Sequence, residues 1–337
     1  MVARRRRKFL RRRKRKAVIE KGPHSILLTA PAYFGLMEKA SYRGVVTFVR
    51  ALVDITLIQR KQVRIDFRQT VKCYSDGTLL FYAELQRILK RNPRSITCIP
   101  PRNSVVGQVL CHLGILKQLG YTKHIPSTRD DVVNWQTFSG VMADATQGVG
   151  QAIDNLSGIS REQIQNLFRS VTEALTNVTQ HAYMEMRMDG SGNPSDAGWW
   201  MFVREQPTEL LVNFCDLGVG VPYSVPKLEK HQNWLQARLS TVLAAVGVHN
   251  HQDGETIQVT VAEKRSRFNA THRGNGFGNM LESIAIADSG LLTIQSNRGS
   301  YTYRRAAGVE THESRNYDDS IYGTVVGWKI KLEKDSA

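Results

Sequence analysis

The chain has 337 residues, 41% of them hydrophobic and 23% charged, with a formal net charge of +16. At about 100 to 200 residues per domain, that length leaves room for two domains with separate cores and excludes a disulfide-stapled mini-protein. No apolar run reaches the roughly 18 to 20 residues of a membrane span, so the body of the chain is expected to be soluble.

The charge is concentrated at the start. Residues 1 to 16, MVARRRRKFLRRRKRK, carry 11 basic side chains and no acidic one, which leaves +5 on the other 321 residues. Residues 1–22 read as a disordered arginine/lysine-rich tail, suited to phosphates of nucleic acid or an anionic membrane, or else serving as a solubilising tail without a specific partner. If the tail holds polyanions, deleting residues 1–16 should remove most of that affinity and leave the folded body intact. On duplex DNA the salt dependence should fall by about 0.9 in log–log slope for each phosphate that the tail neutralises. Equal DNA binding by full-length and truncated protein would leave only the solubility role.

KAVIEKGPH follows the basic run and offers no apolar core of a signal peptide. Cys73, Cys98, Cys111 and Cys215 match neither a disulfide framework nor a CxxC zinc site, and a cytoplasmic location is expected.

From Ser25 onward, short apolar runs alternate with amphipathic stretches. Strands are predicted at 25–31, 62–67 and 95–100, and helices at about 36–57, 77–91 and 104–117, an α/β pattern filling residues 23–126. Residues 127–159 read as a helical connector. The second half, 160–337, opens with a helix expected from Ser160 to about Met188, where Ser160 and Gln163 form a capping box. GWWMFVRE and ELLVNFCD then read as a hairpin turning at Gln206-Pro207-Thr208.

On the long helix Glu173, Asn177 and His181 are spaced four apart and drift only about 40° per step, so they share a polar stripe beside the apolar positions Leu167, Val171, Ala174, Leu175 and Val178. Asp216 closes a strand and is followed by Gly218 and Gly220, where bare backbone can approach a flat ligand. Arg273-Gly274-Asn275-Gly276-Phe277-Gly278 precedes a predicted helix, and successive N–H groups at such a start form an anion cradle. His249 and His251 read as part of an exposed loop, since a third metal ligand at recognisable spacing is missing.

In this order the segments EALTNVTQHAY (173–183), DLGVGVP (216–222), RGNGFGN (273–279) and GTVVGWKIKL (323–332) resemble the nucleotide-binding boxes of the GHKL ATPase superfamily, which includes type II topoisomerases, sensor histidine kinases and anti-sigma-factor serine kinases. SGLLTIQSNRG (289–299) is similar to the strand and turn such domains carry between the last two boxes. The resemblance implies a GHKL (Bergerat) α/β sandwich with helices on one face of a mixed sheet, and ATP with Mg²⁺ as cofactors. It implies Asn177 on the metal, Asp216 on the adenine amine, Gly218 and Gly220 around base and ribose, Gly274, Gly276 and Gly278 around the phosphates, and Thr324 beneath the adenine. Glu173 is the candidate general base, with a purely structural carboxylate as the other reading. Residues 223–272 have the length of an ATP lid, and among its cations Lys227, Lys230, Lys264, Arg265, Arg267 and Arg273, the last is favoured for the γ-phosphate because Gly274 fixes its place.

The E-x-x-x-N-x-x-x-H-A-Y arrangement is most similar to the anti-sigma-factor serine kinases. A sensor kinase is disfavoured because residues 128–156 hold no histidine, and a topoisomerase-like enzyme because few residues follow Leu332. Residues 63–121 resemble a divergent STAS domain, in which Ser75 of SDGTLL would be a phospho-acceptor or an ordinary helix cap. The expectation is an ATP-hydrolysing or serine-phosphorylating switch acting on a regulatory protein partner, with homo-oligomers open. The alternative is an ATP-gated binding module without turnover.

Overall fold

The computed structural model describes residues 19–21, 25–141, 150–151, 153, 156, 160–192, 194–225, 252–268, 276–285, 287 and 289–332. The chain is mixed α/β, with a four-stranded and a seven-stranded sheet and one two-stranded ribbon among these residues. No helix there is long and apolar enough to cross a membrane.

In the first half β1 (Ile19–Lys21) pairs antiparallel with β2 (Ile26–Thr29), so part of the stretch read as tail is a strand. β3 (Tyr33–Phe34) and α1 (Lys39–Val53) follow, then β4 (Val63–Asp66), β5 (Lys72–Cys73), α2 (Ser75–Arg91) and β6 (Ile96–Ile99). β2, β4 and β6 are parallel neighbours, and β3 pairs with β5. Helix α1 forms because Tyr42, Val45, Val46, Val49, Leu52 and Val53 recur every three or four residues and are all buried. It runs on into a π turn, Asp54–Ile58, where the Thr56 hydroxyl donates back to the Leu52 carbonyl at 2.6 Å. The helix expected over 104–117 is two pieces, α3 (Ser104–His112) and α4 (Ile115–Gln118). Asn103 caps the first by accepting from the Val105 and Val106 amides, and Gly114, at φ +71°, supplies the left-handed step that ends it.

In the segment read as a helical connector, a short helix, α5 (Asp130–Val133), leads into strand β7 (Trp135–Gly140), which pairs antiparallel with β8 (Trp199–Gln206), and Gly150, Gln151 and Ile153 are again helical. Backbone pairing at the sheet edge there overrides a sequence without strong alternation. The long helix, α6 (Arg161–Asn177), is shorter than expected, because Val178–Ala182 form a π turn. β8 and β9 (Glu209–Asp216) make the predicted hairpin. Then come α7 (Val221–Ser224), α8 (Asp253–Phe268), α9 (Gly276–Ala285), β10 (Ser289–Ser296), β11 (Gly299–Ala306), β12 (Val309–Asn316) and β13 (Thr324–Lys331).

The large sheet runs β12-β11-β10-β13-β9-β8-β7, and every pairing in it is antiparallel rather than mixed. The reason is the place of β13. It lies between β9 and β10, which run the same way, and keeps them from being neighbours.

Neither is the sheet covered on one face only. Trp199, Met201 and Val203 join the core with Leu167, Val171 and Leu175 of α6 and Met280, Leu281 and Ile284 of α9, while Trp200 and Phe202 join the core of the first half. Alternation along β8 thus feeds two cores. Helix α2 covers the opposite face and packs on β8, β9 and β13, and it also packs on α1 and β3 of the first half.

Candidate functional site

The helix that carries the polar stripe is fixed at its start and along its buried face. Ser160 Oγ accepts from the Gln163 amide at 3.2 Å and Gln163 Oε1 from the Ser160 amide at 2.8 Å, the reciprocal bonds of the expected capping box. Leu167, Val171, Ala174 and Leu175 are buried, whereas Glu173 and Asn177 are half-buried beside them. Asn177 is the last α-helical residue and His181, also half-buried, lies in the wider π turn. No lysine or arginine occurs between Arg169 and Arg187, so no basic side chain of this stretch offsets the negative end of the helix dipole.

The π turn delivers the chain to the Asp216 loop. Val219 donates to the Ala182 carbonyl at 2.7 Å. A Cβ on Gly218 would stand 2.2 Å from that same oxygen, so only glycine permits this approach. Tyr183 stitches the contact: its hydroxyl donates to the Gly198 carbonyl at 2.6 Å and accepts from the Leu217 amide at 3.0 Å. Burial and the neighbouring Asp216 charge push its phenol up.

Asp216 itself is buried at the end of β9. One carboxylate oxygen accepts from the Gly218 amide at 2.9 Å, and the polar groups of Thr324, directly across the ladder on β13, favour the charged form. These donors do not offset the cost of burial, which pushes the Asp216 carboxyl up to about 6. A carboxylate has more acceptor sites than these donors occupy. Ser296 completes the floor: its hydroxyl accepts from the Val221 amide at 2.9 Å and lies 3.0 Å from the Thr324 hydroxyl.

Asn177, His181, Asp216, Gly218, Gly220 and Thr324 are thus carried by elements that meet at one end of the large sheet. Gly276 and Gly278 fall in the first turn of α9, which packs along α6, so the helix already begins inside the second glycine box. Arg273, Gly274 and Asn275, and Lys227, Lys230, His249 and His251, lie outside the described residues. The stretch expected as a lid contains α8, which carries Lys264, Arg265 and Arg267 and is clamped at its start. Asp253 accepts from the Arg298 amide and Asn316 from the Gly254 amide, each at 2.9 Å.

Ser75 is the first residue of α2 and not its cap; Tyr74 takes that place without a side-chain bond. Asp76 supplies the side-chain acceptor instead, taking the Gly77 amide at 2.7 Å and the Leu36 amide at 3.1 Å, and burial pushes its carboxyl up to about 6. Ser75 lines a cavity of about 570 Å³ shared with Trp135, Arg204, Asn213 and Thr293.

A buried ionic network that no local sequence pattern marks fastens the segment after the π turn to α2. Glu84 receives Arg187 at 2.5 Å and Arg87 at 2.7 Å, all three side chains being almost fully buried. Arg187 also pairs with Asp189 at 2.8 Å, and Ser191 accepts from Arg87, Arg91 and Arg187. Burial pushes the Glu84 carboxyl up, but the Arg187 and Arg87 guanidiniums together outweigh it and hold the carboxyl below its ordinary value. Compared with known proteins, the chain matches no family model, and no curated protein matches it.

Proposed function

We propose that the chain is a GHKL-type ATP-binding switch, joined to a STAS-like first half, that hydrolyses ATP or passes its γ-phosphate to a serine of a regulatory protein. The observation that carries this reading is the buried, under-compensated carboxylate of Asp216, held against Thr324 and the glycine loop at the end of the helix bearing Asn177. A buried acceptor of this kind discriminates an amine from a carbonyl at the same position, and hence the 6-amino group of adenine from the 6-carbonyl of guanine.

Asn177 offers an amide oxygen suited to a hard cation at the negative end of a helix, so it would hold Mg²⁺ together with the triphosphate. When bound, the metal neutralises phosphate charge. The N-terminal amides of α9, starting at Gly276, would face the anion, and Glu173 would accept the proton of the attacking water or hydroxyl.

The expected result for Asp216→Asn is a loss of ATP affinity of about 1 to 3 kcal/mol, read by calorimetry, because a charged acceptor is replaced by an amide. The pH dependence has a definite sign. A carboxyl raised to about 6 is protonated below that value, so wild-type affinity should rise as pH increases through about 6 and binding there should release a proton. Asp216→Asn should lack that step, which separates it from titration of the triphosphate. Unchanged ATP affinity in the variant would refute the reading.

A further inference from the structure

Asn297 occupies the turn between β10 and β11 and is 5% exposed, with a backbone φ of +51° in the left-handed region. A non-glycine residue held there is uncommon, although asparagine tolerates it better than most. Its side chain explains what the position is for. Nδ2 donates to the Val219 carbonyl at 2.8 Å. The amide group fills the space next to Gly220, where a Cβ would stand 2.5 Å from Nδ2, and Gly220 in turn is at φ +81°. Side chain and glycine loop therefore interlock.

Val219 is held from both sides, its amide by Ala182 at the end of the π turn and its carbonyl by Asn297. The backbone of Asn297 is itself fastened. Its amide donates to the Gly323 carbonyl at 3.1 Å, next to Thr324, and its carbonyl accepts from the Ile321 amide at 2.9 Å. One further donor reaches it from the first half of the chain. The Tyr42 hydroxyl, on α1, points at the Asp319 carbonyl at 2.9 Å and the Asn297 carbonyl at 3.3 Å, while its ring stacks on Tyr317 with centroids 3.8 Å apart. Tyr42 is 2% exposed, so this contact is buried.

We propose that Asn297 is a positioning residue for the nucleotide site and that Tyr42 of the first half completes its support, so the site is whole only when the two halves are docked. The inference rests on the ATP-binding reading above. Asn297 touches none of the reacting atoms; it fixes the loop that runs from Asp216 to Gly220, and with it the placement of the Asp216 carboxylate against Thr324. The first half then acts on ATP affinity through a buried hydrogen bond and a stacked ring, without contributing a group to the nucleotide.

The test uses the full chain. Asn297→Gly keeps a left-handed residue and deletes the amide, and Tyr42→Phe keeps the stacked ring and deletes only the hydroxyl. ATP affinity is measured by calorimetry well below the unfolding midpoint, alongside the midpoint itself without nucleotide. Loss of one such hydrogen bond is expected to weaken ATP binding about tenfold in Asn297→Gly and by about threefold in Tyr42→Phe, in protein that is still folded at the measuring temperature. Asn297→Asp, which keeps the shape but sets an acceptor against the Val219 carbonyl, should fail to restore affinity. A merely structural role would lower the midpoint and leave the affinity of the folded protein unchanged, and that result overturns the proposal. Should Asn297→Gly not fold, Tyr42→Phe decides alone. Wild-type protein that does not bind ATP overturns the nucleotide reading and this proposal with it; wild-type protein that binds, with variants that bind equally well, overturns this proposal only.

Discussion

Replacing Glu84 by alanine should destabilise the protein by about 3 to 5 kcal/mol, because it takes from Arg87 its carboxylate partner and leaves Arg187 with Asp189 alone in a dry interior. Glu84 is 1% exposed and, among the described residues, is the carboxylate that pairs with both Arg87 and Arg187. Asp189 still faces Arg187, and Ser191 still accepts from both arginines, but neither replaces a full charge between them. Glu84→Gln keeps shape and one acceptor, and should lose less. The exposed pair Arg50 and Asp319 gives the contrast: with about half of the arginine side chain in water, Asp319→Ala should cost no more than about 1 kcal/mol. Denaturant unfolding of the three variants checks the ranking. The pH dependence follows from the depressed carboxyl of Glu84. Its contribution is full above the ordinary carboxylate range and is lost as pH falls through the lowered folded value, so the wild type should lose stability in acid faster than Glu84→Gln. A cost under 1 kcal/mol for Glu84→Ala would show that the network carries little net stability.

That network shows where sequence reading stops. Arg187 and Glu84 are 103 positions apart, and nothing local in MRMDGSG marks an arginine that will be buried. The same holds for α2. Its buried set includes Asp76, Leu79, Leu80, Phe81, Glu84, Leu85, Arg87 and Ile88, a pattern too wide for one amphipathic face, because the helix packs at once on the large sheet and on α1 and β3 of the first half. Strand β7 is illegible for a related reason: as an edge strand with one neighbour, it owes its state to pairing with β8 and not to its own alternation.

What is legible is what local chemistry dictates. The Ser160 and Gln163 box starts α6 where expected, and the turn after Gln206 joins β8 to β9 as the expected hairpin. Gly218 and Gly220 stand out as places of close approach, yet their immediate neighbours are the Ala182 carbonyl and the Asn297 amide. The glycines that suggest a ligand from the sequence are first of all the means by which the loop packs down and presents Asp216. Asn297, which answers Gly220, carries no signal beyond an asparagine in a turn.

The largest effect on function is expected from Glu173→Ala. Glu173 lies one helical turn before Asn177 on a helix whose opposite side is buried and whose start is capped, and alanine is the strongest helix former, so the variant should fold without rearranging the site. If Glu173 accepts the proton from the attacking water or serine hydroxyl, ATP turnover should fall by about 10² to 10⁴, the usual cost of removing a general base. ATP affinity should stay within about threefold of wild type, because the lost group acts on the transition state and not on bound nucleotide. Turnover of labelled ATP, with and without candidate protein acceptors, measures the first quantity and calorimetry the second. A fall in affinity that matches the fall in rate would instead place Glu173 among the residues that hold ATP and Mg²⁺. Undiminished turnover would remove it from the mechanism. A wild-type protein that binds ATP with Asn177 and Asp216 but turns none over, with any acceptor supplied, would make the chain an ATP-gated binding module, in which closing around nucleotide is the whole of the signal.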